Sequence, residues 1–211
     1  MRRPMKEIND KKTTTSPKKP HPTERIIDAA RTLFFKYGVA AVSTDMLAKE
    51  ANMSKATMYS RFKSKEEILV AVLDHECKQF FIPAFEAIDN EKDYRQAFIN
   101  FGVNLLHFLE DPKIVRFDQL MLTQVLENPD MSKLFYKRAY EVTYSHLEDM
   151  IAHGQKKGFI KRKETPELLA DLLLNSWEGK TYQKLLYGFK TSKFKDHKKH
   201  IQTVMAIILE L

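Results

Sequence analysis

The sequence predicts an all-α protein of about nine helices, and three observations carry that prediction. Only 6 glycines and 8 prolines occur in 211 residues, and they are scarce from Thr23 onward. From Thr23 onward, apolar residues recur at three- and four-residue steps, the period of a helix with one buried face. No stretch alternates apolar and polar residues as a half-buried strand would. With 43% hydrophobic and 30% charged residues the chain suits a packed core, and no apolar run approaches the roughly 18 residues of a membrane span.

The elements follow in order. Residues 1–22 hold Pro4, Pro17, Pro20, Pro22 and many lysines with few apolar side chains, and read as a flexible basic arm. Ile26, Ile27, Ala30, Leu33, Phe34 and Tyr37 form one stripe of a first helix, with Gly38 as its C-cap. Ser64 to Glu67 fits a capping box opening a helix that runs toward Pro83 or a little beyond. Asp111-Pro112 and Asn128-Pro129 mark boundaries, because the residue before proline avoids helical geometry. A long helix starts near Met131 and ends by Gly158. Thr165-Pro166 starts another, over about 166–188, and a last helix covers about 194–210.

Between the first helix and Ser64 the chain caps a helix twice, in "STDMLAKEANMSKATMYSRF". Ser43 or Thr44 caps a short helix with Leu47, Ala48 and Ala51 inward. Asn52 sits where the chain must turn, and asparagine tolerates left-handed backbone better than other non-glycine residues. Ser54 then caps a second short helix with Met58 and Phe62 inward and Lys55, Ala56, Thr57, Tyr59, Ser60 and Arg61 outward. This is a helix-turn-helix, whose second helix is shaped to enter a major groove. Lys63 and Lys65 extend the cationic face. The charge distribution agrees: residues 1–65 hold 15 Lys/Arg and 6 Asp/Glu, a net +9, while the remainder carries −2. A cationic head on a near-neutral body suits a polyanion, because neutralised phosphates release counterions.

The segment resembles the DNA-binding domain of the tetracycline-repressor (TetR) family of bacterial transcriptional regulators. "TERIIDAARTLFFKYG" matches the leading helix and "STDMLAKEANMSKATMYSRFKSKEEIL" the motif, so the close resemblance covers about residues 24–73. It implies that Ser43, Thr44, Ser54, Lys55, Thr57, Tyr59, Arg61 and Lys65 meet DNA, mostly its backbone. Asn52 replaces the family's usual turn glycine, Ala56 its frequent glycine or proline, and Arg61 a common histidine or tyrosine. The implied organisation is an arm (1–22), a DNA-binding domain (23–70) and a helical ligand-binding and dimerisation domain (71–211).

Within that body, the last two helices carry a stripe of Leu169, Leu172, Ser176, Gly179, Gln183, Val204 and Ile208, assigned to a dimer interface in which small Ser176 and Gly179 let helices approach. Burial of the same stripe in the chain's own core is the alternative. An aromatic cluster of Phe101, His107, Phe108, Phe117, Met121, Tyr140, Tyr144 and Trp177 outlines a pocket for a small, largely apolar effector; plain core packing is the alternative.

No HExxH helix, phosphate loop or Gly-x-Ser-x-Gly elbow occurs, so no catalytic residues, metal ligands or cofactors are assigned. Asp196, His197 and His200 read as a solvated face and Cys77, the single cysteine, as inert. A chain with one cysteine and no apolar leader is expected in the cytoplasm, without a membrane partner. The expected function is a homodimeric regulator, a repressor released from a palindromic double-stranded operator by its effector. The competing reading is an all-helical interaction protein with a nonspecific polyanion-binding head.

Overall fold

The computed structural model describes residues 21–80, 82, 84–189 and 196–211, so nearly all of the arm lies outside the described residues. Ten α-helices follow one another: α1 (Pro22–Tyr37), α2 (Thr44–Glu50), α3 (Lys55–Tyr59), α4 (Lys65–Cys77), α5 (Glu91–Leu109), α6 (Pro112–Glu127), α7 (Pro129–Tyr136), α8 (Val142–Lys157), α9 (Pro166–Leu186) and α10 (His197–Ile208). A π-helical turn, Lys137–Glu141, joins α7 and α8 into one rod, which leaves nine separate rods and no strand among the described residues.

Local chemistry sets most starts. Ser43, Ser54, Ser64, Asp111, Asn128 and Thr165 each accept a hydrogen bond from a first-turn amide that has no partner within the helix. Pro22, the last residue assigned to the arm, is already helical, because proline at the first position needs no amide partner and His21 and Glu24 complete the cap. The Ser64 box is displaced by one residue: Glu67 Oε2 accepts from the Lys63 amide at 2.6 Å.

Several helix ends lie a few residues from the sequence expectation. Helix α4 stops at Cys77, short of Pro83, because Phe80 leaves the helical path to pack on Phe101 and Phe108 with ring centroids 5.6 and 5.3 Å away. Helix α10 begins at His197; the expected start near 194 lies outside the described residues.

Two apolar clusters form. One joins α5, α8, α9 and α10 around Phe98, Phe101, Leu147, Leu173 and Trp177. The other contains Ile26, Phe34, Leu47, Met58, Ile68 and Val72 of α1–α4, and continues into Phe117, Leu120 and Met121 of α6 and Phe135 of α7. The head therefore does not close on itself: α6 and α7 complete its core.

Close helix crossings within the chain occur at Gly154 and Gly102. A Cβ at Gly154 would lie 2.2 Å from the Tyr94 hydroxyl, and one at Gly102 2.7 Å from Ile201. A Cβ at Gly179 would meet nothing within 4 Å; glycine is needed there because φ is 51° where α9 kinks.

Candidate nucleic-acid interface and interior cavity

The helix-turn-helix is held from three sides. Leu47, Ala48, Ala51 and Met58 are buried against α1 and α4. Asn52 takes φ 51° in the turn, the conformation that the sequence required of it. Arg25 on α1 then donates to the carbonyls of Ala51 and Asn52 at 2.5 and 2.6 Å, tying the turn down. Sequence reasoning missed this clamp, since a lone arginine on an exposed helix face carries no local signal.

Helix α3 is five residues long and buries only Met58, so its remaining face is outward. Lys55, Ala56, Thr57, Tyr59, Ser60, Arg61 and Lys63 are exposed, as is Ser43, while Thr44 is half-buried. Tyr59, 44% exposed, is no core aromatic. Lys55 Nζ lies 2.7 Å from Asp45, an exposed pair that holds its ammonium above the usual range. Ser54 and Ser60 work partly inside the motif: Ser54 Oγ accepts from the Thr57 amide at 3.1 Å, and Ser60 Oγ donates to the Thr57 carbonyl at 2.8 Å. Lys65 is placed differently from the expected cationic face. Its ammonium donates to the carbonyls of Val39 and Val42 at 2.9 and 3.2 Å and so fastens the α1–α2 connection.

An interior cavity of about 80 Å³ lies where the two clusters meet, walled by α4, α5, α6, the rod of α7 and α8, and α9. Of the residues assigned to a pocket, Phe108, Phe117 and Tyr140 line it. Met121 belongs to the head core, Phe101 and Trp177 are buried in the body core, His107 stacks on His197 at 4.3 Å, and Tyr144 lies by Asp171. The charged lining was not anticipated. Glu76 from α4, Asp118 from α6, Arg138 from the π-helical turn and Glu178 from α9 all reach the cavity. Asp118 accepts from the Tyr182 hydroxyl, and more loosely from Tyr140 at 3.4 Å. Burial pushes the Asp118 carboxyl up to about 6, and burial together with Asp118 pushes Glu178 up to about 7. The sequence signal was present in part: each is an acid next to a large aromatic, Phe117 and Trp177.

Two charged bonds connect this cavity to the head. Arg31 of α1 donates to Glu76, and Arg138 donates to Asp74 of α4. Helix α4 thus carries Lys65 under the motif at one end and cavity wall at the other.

The assigned dimer stripe divides in space. Leu169 is buried in the chain's own core and Val204 is 9% exposed there, which corrects both; Ser176 and Ile208 are half-buried. Leu172 and Gln183 face outward, with Leu168 and Ile207 beside the same faces at 48 and 66% exposure. A helix packed on one side and apolar on both buries only the side its own fold covers.

The described helices include none long and apolar enough to cross a membrane. Residues 26–72 match the family described as "Bacterial regulatory proteins, tetR family", and residues 96–210 match "AefR-like transcriptional repressor, C-terminal domain". The chain is 28% identical over 190 residues to the HTH-type transcriptional regulator YhgD of Bacillus subtilis, covering 88% of this chain and 91% of that one. Among solved structures it is similar to the flavonoid-responsive regulator FrrA (TM-score 0.74, 23% identity, 90% and 95% of the two chains). A TetR regulator from Agrobacterium tumefaciens superposes comparably (TM-score 0.73, 18% identity, 90% and 92%). With a cationic helix-turn-helix, a helical body and family matches over both, the chain belongs to the TetR family of transcriptional regulators, DNA-binding proteins and not enzymes.

Proposed function

We propose that the chain is a homodimeric repressor that holds a palindromic operator through Lys55, Thr57, Tyr59 and Arg61 and leaves it when a small molecule enters the interior cavity. The observation that carries this reading is the double use of α4. Its start is bonded to the α1–α2 connection beneath the motif, and its end lines the cavity with Glu76 and Cys77.

At about 80 Å³ this partly open cavity is far smaller than the roughly 300–1,000 Å³ that drug-sized ligands occupy. A ligand must therefore push a wall outward, and α4 is a wall. Displacing α4 moves the motif packed on it, so the ligand-bound protomers no longer match half-sites about 10 base pairs, or a multiple, apart. Coupling needs only that ligand and operator prefer different poses of the same helix. The name of FrrA, a regulator responsive to flavonoids, supports small-molecule control on this fold. Exposed Leu168, Leu172 and Ile207 on α9 and α10 support pairing of two copies through these helices.

Selection of bound duplexes from a random DNA pool tests the proposal. An enriched palindrome supports it. Binding without an enriched sequence, lost steeply as salt rises, would leave only a nonspecific cationic head.

A further inference from the structure

We propose that the interior cavity takes a lipophilic organic cation, an aromatic amine or quaternary ammonium compound, held between the carboxyls of Asp118 and Glu178 and the surrounding aromatic rings. This deepens the ligand-responsive reading above, on which it rests, and replaces an apolar effector with a charged one.

The charges that line the cavity do not balance. Four ionisable side chains of full charge reach the cavity: Glu76, Asp118, Arg138 and Glu178. Two are matched by partners on the head, Glu76 by Arg31 and Arg138 by Asp74. The two that remain are both acids. Asp118 is held by tyrosine hydroxyls, which orient the carboxyl without cancelling its charge, and among the described residues Glu178 pairs with no lysine, arginine or histidine.

A buried carboxylate without a counter-charge is costly, and burial holds both acids above the ordinary carboxyl range, with Asp118 raising Glu178 further. A cation in the cavity removes that cost. The rings of Phe80, Phe108, Phe117 and Phe135 line the same space, and an aromatic face attracts a cation. An anion would meet two like charges, and a neutral ligand would leave both acids unmatched.

The titratable groups that face the pair come from four elements: Glu76 and Cys77 of α4, Asp118 itself on α6, Arg138 and Tyr140 of the π-helical turn, and Tyr182 with Glu178 on α9. Burial raises the Cys77 thiol to about 11 and keeps both tyrosines neutral, whereas Asp118 and Glu178 lose their protons near 6 and 7. Cation affinity should therefore rise with pH across that interval.

Isothermal titration of the full chain with three probes of similar ring size tests this: benzyltrimethylammonium, neutral benzyl alcohol and anionic phenylacetate. The cation should bind at least ~10-fold tighter than the alcohol at about pH 8 and lose roughly 10-fold by about pH 5.5 as the acids protonate. Glu178→Gln, with Asp118→Asn as a second variant, should weaken the cation by a similar factor and leave the alcohol unchanged.

Equal or tighter binding of the alcohol or of phenylacetate, or no binding of the cation, overturns the proposal. Release of the selected duplex separates it from the regulator reading. Release by benzyl alcohol but not by the cation keeps ligand control and removes the cation site. Tight cation binding by a protein that selects no duplex does the reverse.

Discussion

The guanidinium of Arg31 on α1 donates to the carboxylate of Glu76 at the far end of α4, a side chain only 2% exposed that also lines the cavity. One ion pair thus serves the head's packing and the wall of the site. Arg31→Ala should cost roughly 2–4 kcal/mol in urea unfolding, because it leaves a buried carboxylate unmatched. The double variant Arg31→Ala, Glu76→Ala should cost less than the sum of the single losses. Strict additivity would show that the pair is not coupled.

Lys55 and Tyr59 stand on the outward face of α3 and support little of the fold. Lys55→Ala and Tyr59→Phe should leave unfolding stability within about 0.5 kcal/mol. Lys55→Ala should lower operator affinity several-fold and reduce the dependence of log K on log salt by about one phosphate. Gel-shift titrations at several salt concentrations read both numbers. An unchanged salt slope would remove Lys55 from the phosphate contacts.

Asn52 has a left-handed φ of 51° in the motif's turn. Asn52→Gly should therefore be neutral or slightly stabilising, while Asn52→Ala should cost about 1 kcal/mol in thermal unfolding. The Arg25 clamp on the turn carbonyls should hold the motif together in both variants, so operator binding survives at low temperature.

Glu178 is raised to about 7 by burial and by Asp118. A raised acid stabilises the fold fully below its ordinary range, near 4.5, and that contribution is lost as pH climbs through about 7. Stability should fall between those limits and level off above them. Glu178→Gln should flatten the fall and be more stable than the parent at about pH 8, by ~1–3 kcal/mol. Identical pH profiles for the two proteins would contradict the burial of this charge.

Leu172 on α9 and Ile207 on α10 are 44 and 66% exposed. Replacing both with glutamate puts like charges on a surface proposed to meet its own copy. The variant should sediment as a monomer with its helical content intact, and operator affinity should fall by ~10-fold or more as the second half-site is lost. A dimer that persists would move the interface to another face.

Helix starts, the helix-turn-helix and the family were legible in the sequence because they rest on interactions within three or four residues. A serine caps its own first turn whatever packs above it, and Asn52 needs only its own backbone to turn left-handed. The burial of an apolar stripe is different, because it depends on what lies across from it. Leu169 and Leu172 have the same side chain three residues apart, yet only the first is buried in the body core.

Met121 looked like a pocket residue until α6 proved to complete the core of the head, whereas Phe117 both joins that core and lines the cavity. The approach of Asp118 and Glu178 to one cavity, 60 residues apart in sequence, and the bond of Arg31 to Glu76 across 45, arise only when four helices converge. Local propensity determined where this chain is helical. The tertiary structure decided which acids lost their water, because desolvation is set by every neighbour at once.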